Sequence, residues 1–141
     1  MSLLPDPSTA LGARVARDLS ERMIGWITSV DRAGTPQPAP VWFLWHEDRV
    51  LFYSQPSAKR LERIKANPRA SFHLNDEGLA HQLTLFTGTL AQAADVPPAA
   101  EHPDFLKKYE DLAIRSFGSV QRFSDLFNVA FVFTPEKARM H

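Results

Sequence analysis

The chain has 141 residues, 44% of them hydrophobic, with sixteen basic residues balanced by sixteen acidic ones and no cysteine. That length and apolar content suit one globular domain over residues 1–141 and exclude a disordered chain. Zero net charge leaves no global field to draw the chain to nucleic acid or an anionic membrane, and the missing cysteines exclude disulfides, thiolate nucleophiles and Cys-ligated metals.

The opening stretch, MSLLPDPSTALGARVARDLSERM, lacks the basic start and continuous apolar run of a secretory signal. No segment is long and apolar enough to span a bilayer, so the cytoplasm is the expected location. Ser8 or Thr9 is placed to cap a helix running to about Glu21, with Leu11, Val15 and Leu19 on one stripe. MIGWITSV reads as a strand, followed by the turn formers of DRAGTPQ. Residues 39–46 and 49–55 read as a hairpin turned at Glu47-Asp48. Its first strand is apolar on both faces: Val41, Phe43 and Trp45 alternate with Trp42 and Leu44. One face belongs to a core, and the other needs a cover, either a partner chain or a ligand.

A short helix over residues 57–66 follows, anchored by Leu61 and Ile64 and ended by Asn67-Pro68. ASFHLN is the next strand, DEG a turn, and HQLTLFTGTLAQA a long strand. Residues 102–117 read as a helix, and LFNVAFVFT as a last strand with Phe127, Val129, Phe131 and Phe133 on one side. Six strands interrupted by two or three helices do not alternate as in a doubly wound sheet. A mainly β fold, a closed or nearly closed antiparallel barrel with flanking helices, fits better.

Five cations fall between Lys59 and Arg69, at the opening and along the flank of the short helix. Most cations on amphipathic helices only keep a face wet. Here they begin where the hairpin's second strand ends, and Ser54, Gln55 and Ser57 stand beside Lys59 and Arg60. Hydroxyls, amides and cations are what a phosphate monoester requires. The adjoining strands VLFYSQ and PAPVWFLW offer an apolar wall for a planar ring. The five histidines show no metal-ligand spacing, Ser54 has no neighbouring base, and no catalytic residue or metal site is assigned.

The run DRAGTPQPAPVWFLWHEDRVLFYSQPSAKRLERIKANPRASFHLN resembles the pyridoxamine 5'-phosphate oxidase-like split barrels, in particular an actinobacterial branch predicted to use the deazaflavin coenzyme F-420. The resemblance implies a split β-barrel, a homodimer with cofactor sites at the interface, and a phosphate grip by Lys59 and Arg60 beside Tyr53, Ser54 and Gln55. It implies a ring site along Pro40, Val41, Trp42 and Phe43. The sequence departs from the oxidases proper in having no Arg or Lys in this strand, which argues against vitamin-phosphate oxidase activity. An oxidoreductase passing hydride from coenzyme F-420 to a small organic acceptor is the leading expectation. A flavin mononucleotide (FMN) enzyme of the same fold is the first alternative. A non-catalytic cofactor or haem carrier, with His46 or His73 as axial ligand, is the second. The F-420 tail would call on further cations, with Arg63, Lys65, Lys107 and Lys108 as candidates.

Overall fold

The Thr9 hydroxyl accepts the Gly12 amide at 3.0 Å and starts helix α1 (Ala10–Glu21), as the sequence predicts. The structure is a computed structural model that describes residues 3–76 and 78–141; Glu77, in the expected turn at 76–78, lies outside the described residues. Strands β1 (Ile24–Val30), β2 (Pro36–His46), β3 (Arg49–Ser54), β4 (Arg69–Leu74), β5 (Thr84–Gln92) and β6 (Val129–Met140) pair antiparallel. They close into a barrel in the order β1-β2-β3-β6-β5-β4, the split-barrel architecture expected. The two-residue turn at Glu47 and Asp48 takes positive φ at both positions (53° and 59°), which matches the right-handed twist of the hairpin strands.

The barrel interior absorbs much of the aromatic excess. Phe43, Phe52, Phe72, Phe86, Phe131 and Phe133 are all buried there, and α1 adds Val15 and Leu19. Fully burying each such side chain stabilises the fold by about 1.5–3 kcal/mol. Gly25 is required by this packing, since a Cβ there would run into the Phe72 ring.

The outer face of β2, β3 and β6 carries a second core. Leu44, Leu51, Tyr53 and Ala130 pack against helices α3 (Pro103–Phe117) and α4 (Val120–Leu126). Where the sequence reading expects a partner chain or a ligand as cover, Leu44, Leu51 and Tyr53 are packed under two helices of the same chain. His102 caps α3, accepting the Phe105 amide, and Pro103 follows at its first position. Gly118 ends it in the left-handed region (φ 88°), and the Ser119 hydroxyl then caps α4.

Several sequence expectations change. Strand β2 starts at Pro36, inside the stretch read as a turn, and β5 starts at Thr84, three residues later than His81. Helix α2 (Arg60–Ala66) begins three residues later than Ser57 and spans only two turns. Phe127 belongs to the end of α4, where its ring stacks on Phe123 (4.6 Å, 13°), and the last strand starts at Val129. That strand also runs on through Pro135 to Met140 along β5.

Strand β2 changes partner midway. It pairs with β1 through Trp42 and with β3 from Phe43 onward. At the changeover the Phe43 N–H donates to the Tyr109 hydroxyl oxygen (2.8 Å). That hydroxyl lies 2.8 Å from the Phe43 and Met23 carbonyl oxygens, and Lys108 Nζ donates to the Phe43 carbonyl at 2.9 Å. Buried backbone polar groups need partners, and α3 supplies them here. Tyr109→Phe keeps the ring and strands the Phe43 N–H. The expected cost is about 1–3 kcal/mol, read as a fall of roughly 5 °C in the thermal unfolding midpoint. An unchanged midpoint would show that the barrel closes without this contact.

Candidate functional site

Where β3 ends and α2 begins, a groove of about 350 Å³ opens on the outer face of the barrel. Its walls come from β2 (Pro40, Val41, Trp42), the end of β3 (Tyr53, Ser54), the following turn (Gln55, Ala58), Arg60 of α2, and the aromatic residues Phe117, Phe123 and Phe127.

Arg60 is the unusual member. It is 7% exposed, and its guanidinium stands 5.3 Å from the Phe52 ring centre and 5.9 Å from that of Phe131. Nη1 donates to the Ser54 hydroxyl at 2.8 Å. No carboxylate among the described residues pairs with it. Burial, then the charge of Arg63, lowers its pKa, although a guanidinium stays protonated. The Ser54 hydroxyl accepts from Arg60, and among the described residues its own hydrogen meets only the Gln55 carbonyl at 3.5 Å, long for a hydrogen bond. A buried cation and a nearly free hydroxyl donor therefore face one groove, with aromatic side chains as its other wall.

Tyr53 takes a different role from the one a groove phenol suggests. Burial pushes its pKa up to about 12, and its hydroxyl donates to the Pro97 carbonyl at 2.7 Å. It is a protonated anchor for the segment leading into α3. Trp42 already stacks on Tyr109 (5.2 Å, 4°) and Phe123 (4.7 Å, 17°), so its indole meets rings of this chain before any ligand.

Of the residues singled out in the sequence, Pro40, Val41, Trp42, Tyr53, Ser54, Gln55 and Arg60 line this one groove. Phe43 does not join them: it is 0% exposed and points into the barrel, one step out of phase with Trp42. Lys59 does not join them either. It is exposed and lines a second, wider groove of about 930 Å³ with Arg32, Arg63, Lys65, Asp31 and Glu62. Arg63 Nε donates there to the buried Ser29 hydroxyl at 2.9 Å. Successive helical residues diverge by about 100°, so a Lys-Arg pair opening α2 serves two surfaces. Lys107 and Lys108 line a hollow on α3.

None of the residues lining the first groove is a histidine. His46 is half-exposed with Glu47 and Asp104 at 3.6 and 3.8 Å, and His73, half-buried beside Trp26, has its pKa lowered by burial. No cluster of three metal-ligating side chains occurs among the described residues. Sequence reasoning missed Phe117, Phe123 and Phe127. The spacing of Phe123 and Phe127, four apart in VQRFSDLF, was the available signal for a helical aromatic stripe.

Three kinds of comparison bear on this geometry. No curated protein matches the chain. Among solved structures it is similar to the heme storage protein HutZ from Vibrio cholerae (15% identity, 94% of this chain and 95% of that one, TM-score 0.65). It is also similar to an FAD-binding protein from Mesorhizobium loti (16%, 89% and 88%, TM-score 0.63) and to an F420 reductase (19%, 86% and 92%, TM-score 0.58). At such identities the likeness is one of fold. The family described as pyridoxamine 5'-phosphate oxidase matches residues 11–141, nearly the whole chain and every wall of the groove, and the protein belongs to that family.

Proposed function

We propose that the groove binds flavin mononucleotide, with Arg60 and Ser54 on the phosphate and the apolar wall of Pro40, Trp42, Phe117, Phe123 and Phe127 beside the ring system, and that the protein is an FMN-dependent oxidoreductase. The observation that carries this reading is Arg60, a buried guanidinium with a serine hydroxyl for company and no carboxylate. Burying a charge is costly unless it is paired, and a phosphate monoester is the dianion that such a fork and hydroxyl accept. One phosphate and a flat ring match one cation and an aromatic wall. A deazaflavin tail carrying several carboxylates would ask for further cations along the same groove, and Arg63, Lys65 and Lys59 line the other one. Haem is less well served, since the groove offers no histidine as axial ligand.

The flavin supplies the redox chemistry. The chain's own residues bind the phosphate, exclude water from one side of the ring and hold the wall rigid through the Tyr53–Pro97 bond. With Tyr53 fully engaged and protonated, no groove side chain is assigned as proton donor, and protons exchange with solvent or with the acceptor, a small organic molecule. The chain works as one unit in a cytoplasmic homodimer, a reading that rests on the family resemblance; a sedimentation mass near that of one 15.9 kDa chain at micromolar concentration would remove it.

Titration followed by gel filtration tests the ligand. FMN should stay with the protein with Kd near or below about 10 µM, with coenzyme F-420 and hemin at least tenfold weaker. Retention of hemin with a Soret band, or of F-420 without FMN, would overturn the assignment. Arg60→Ala should weaken FMN by at least about tenfold, since charge-assisted hydrogen bonds contribute about 1.5–3 kcal/mol, whereas Lys59→Ala should change it by less than about twofold. Equal effects of the two substitutions would contradict the geometry.

A further inference from the structure

Between Pro40 and Trp42, strand β2 has no neighbour on its β3 side. Its pairing with β3 begins with His46 against Arg49 and stops with Phe43 against Phe52. The pairs next in register, Trp42 with Tyr53, Val41 with Ser54 and Pro40 with Gln55, are not formed. All six of these residues line the groove, including Val41 and Ser54, which are themselves buried. The groove is thus a gap in the barrel wall where two strands have parted.

Phe43 shows which backbone groups face that gap. Its N–H and its carbonyl both meet the Tyr109 hydroxyl, which also lies 2.8 Å from the Met23 carbonyl just ahead of β1. The polar groups of Phe43 therefore point to the β1 side. The N–H and carbonyl of one strand residue share a side, and successive residues alternate. Those of Trp42 and Pro40 consequently point into the gap.

The same alternation explains the prolines. Pro36, Pro38 and Pro40 pair with Val30, Thr28 and Trp26, yet a proline nitrogen turned away from β1 costs that ladder no hydrogen bond. Pro40 also keeps the gap open, because it has no N–H to offer Gln55. The free edge is left with the Pro40 carbonyl as acceptor and the Trp42 N–H as donor, and no backbone partner of that N–H occurs among the described residues. The side chains are committed elsewhere, Trp42 to Tyr109 and Phe123, and Tyr53 to Pro97. What β2 offers a ligand here is main chain.

We propose that this edge recognises a planar cyclic imide, with the Trp42 N–H donating to a ring carbonyl and the Pro40 carbonyl accepting from the adjacent ring N–H. The identity of the ring rests on the flavin reading above: the pyrimidine edge of a flavin carries these groups side by side, and haem has no such edge. Main-chain polar groups in a barrel wall need partners, and the ring edge supplies what β3 does not. Held at its phosphate by Arg60 and Ser54 and at its imide by β2, the ring system has one orientation in the groove.

The free protein gives the first test. Amide exchange followed by NMR should find the Trp42 N–H at least about a hundredfold faster than that of Leu44, whose residue is paired with Leu51. Equal protection of the two would show that the gap is closed and would overturn the proposal. The second test compares FMN with 3-methyl-FMN, which keeps the phosphate and the rings but has a methyl in place of the imide hydrogen. The analogue should bind at least about tenfold more weakly, because the Pro40 carbonyl is left without its donor. FMN should also slow Trp42 exchange at least about tenfold. Equal affinity of the two ligands, or Trp42 exchange unchanged by bound FMN, would rule the imide contact out. Should FMN fail to bind, the flavin reading falls by itself, and lumazine, a small dione with the same imide edge and no phosphate, tests the edge alone. Millimolar lumazine should shift the Trp42 amide resonance and 3-methyllumazine should not; no shift with lumazine would overturn the proposal.

Discussion

Strand β2 has to serve two neighbours, and at Phe43 its backbone has passed the start of β1 as its pairing with β3 begins. A closed barrel of this kind is workable only if something from outside the sheet meets the polar groups exposed at that point. Tyr109 does so with one hydroxyl, reinforced by Lys108. Helix α3 is therefore part of the barrel's hydrogen bonding as well as its cover. Once α3 is docked, Leu44, Tyr53 and Trp42 acquire their second core, Gly118 turns the chain, and α4 brings Phe123 and Phe127 to the edge of the groove. The groove is in this sense a by-product of closing the split.

The groove's other determinant is electrostatic. Arg60 is sunk against two phenylalanine rings and bonded to a serine, an arrangement that gives up much of its hydration without returning a counter-ion. Nothing in the packing demands a cation there; a methionine would fill similar volume at lower desolvation cost. The guanidinium makes physical sense as half of a pair whose other half is an anionic ligand. Lys59, one residue earlier, remains in water on the far side of α2.

Much of this was legible in the chain. Period-two alternation marked β2 and β6, turn residues separated the strands, and the step from Tyr53-Ser54 into the basic helix pointed to the groove. What escaped has physical reasons. Val41, Trp42 and Phe43 are all apolar, and apolarity on both faces does not say which face meets a ligand; only the register showed that Phe43 belongs to the barrel and that helices cover its neighbours. Lys59 and Arg60 look alike in sequence but diverge by one helical step. Helix α4 has only seven residues, too few for a clear period, so Phe127 read as strand. The extension of β6 carries Pro135, Glu136 and Lys137 and is held by pairing with β5, a non-local interaction that no local pattern announces.

Comparison of FMN with riboflavin, the same ring without the phosphate, tests the role of Arg60 most directly. Calorimetric affinities of both ligands for the wild type and for Arg60→Gln form a thermodynamic cycle. Pairing of Arg60 with the phosphate predicts that the wild type prefers FMN by at least about fiftyfold and that the substitution removes most of that preference while leaving riboflavin within about threefold. A substitution that weakened both ligands equally, with the preference intact, would contradict it.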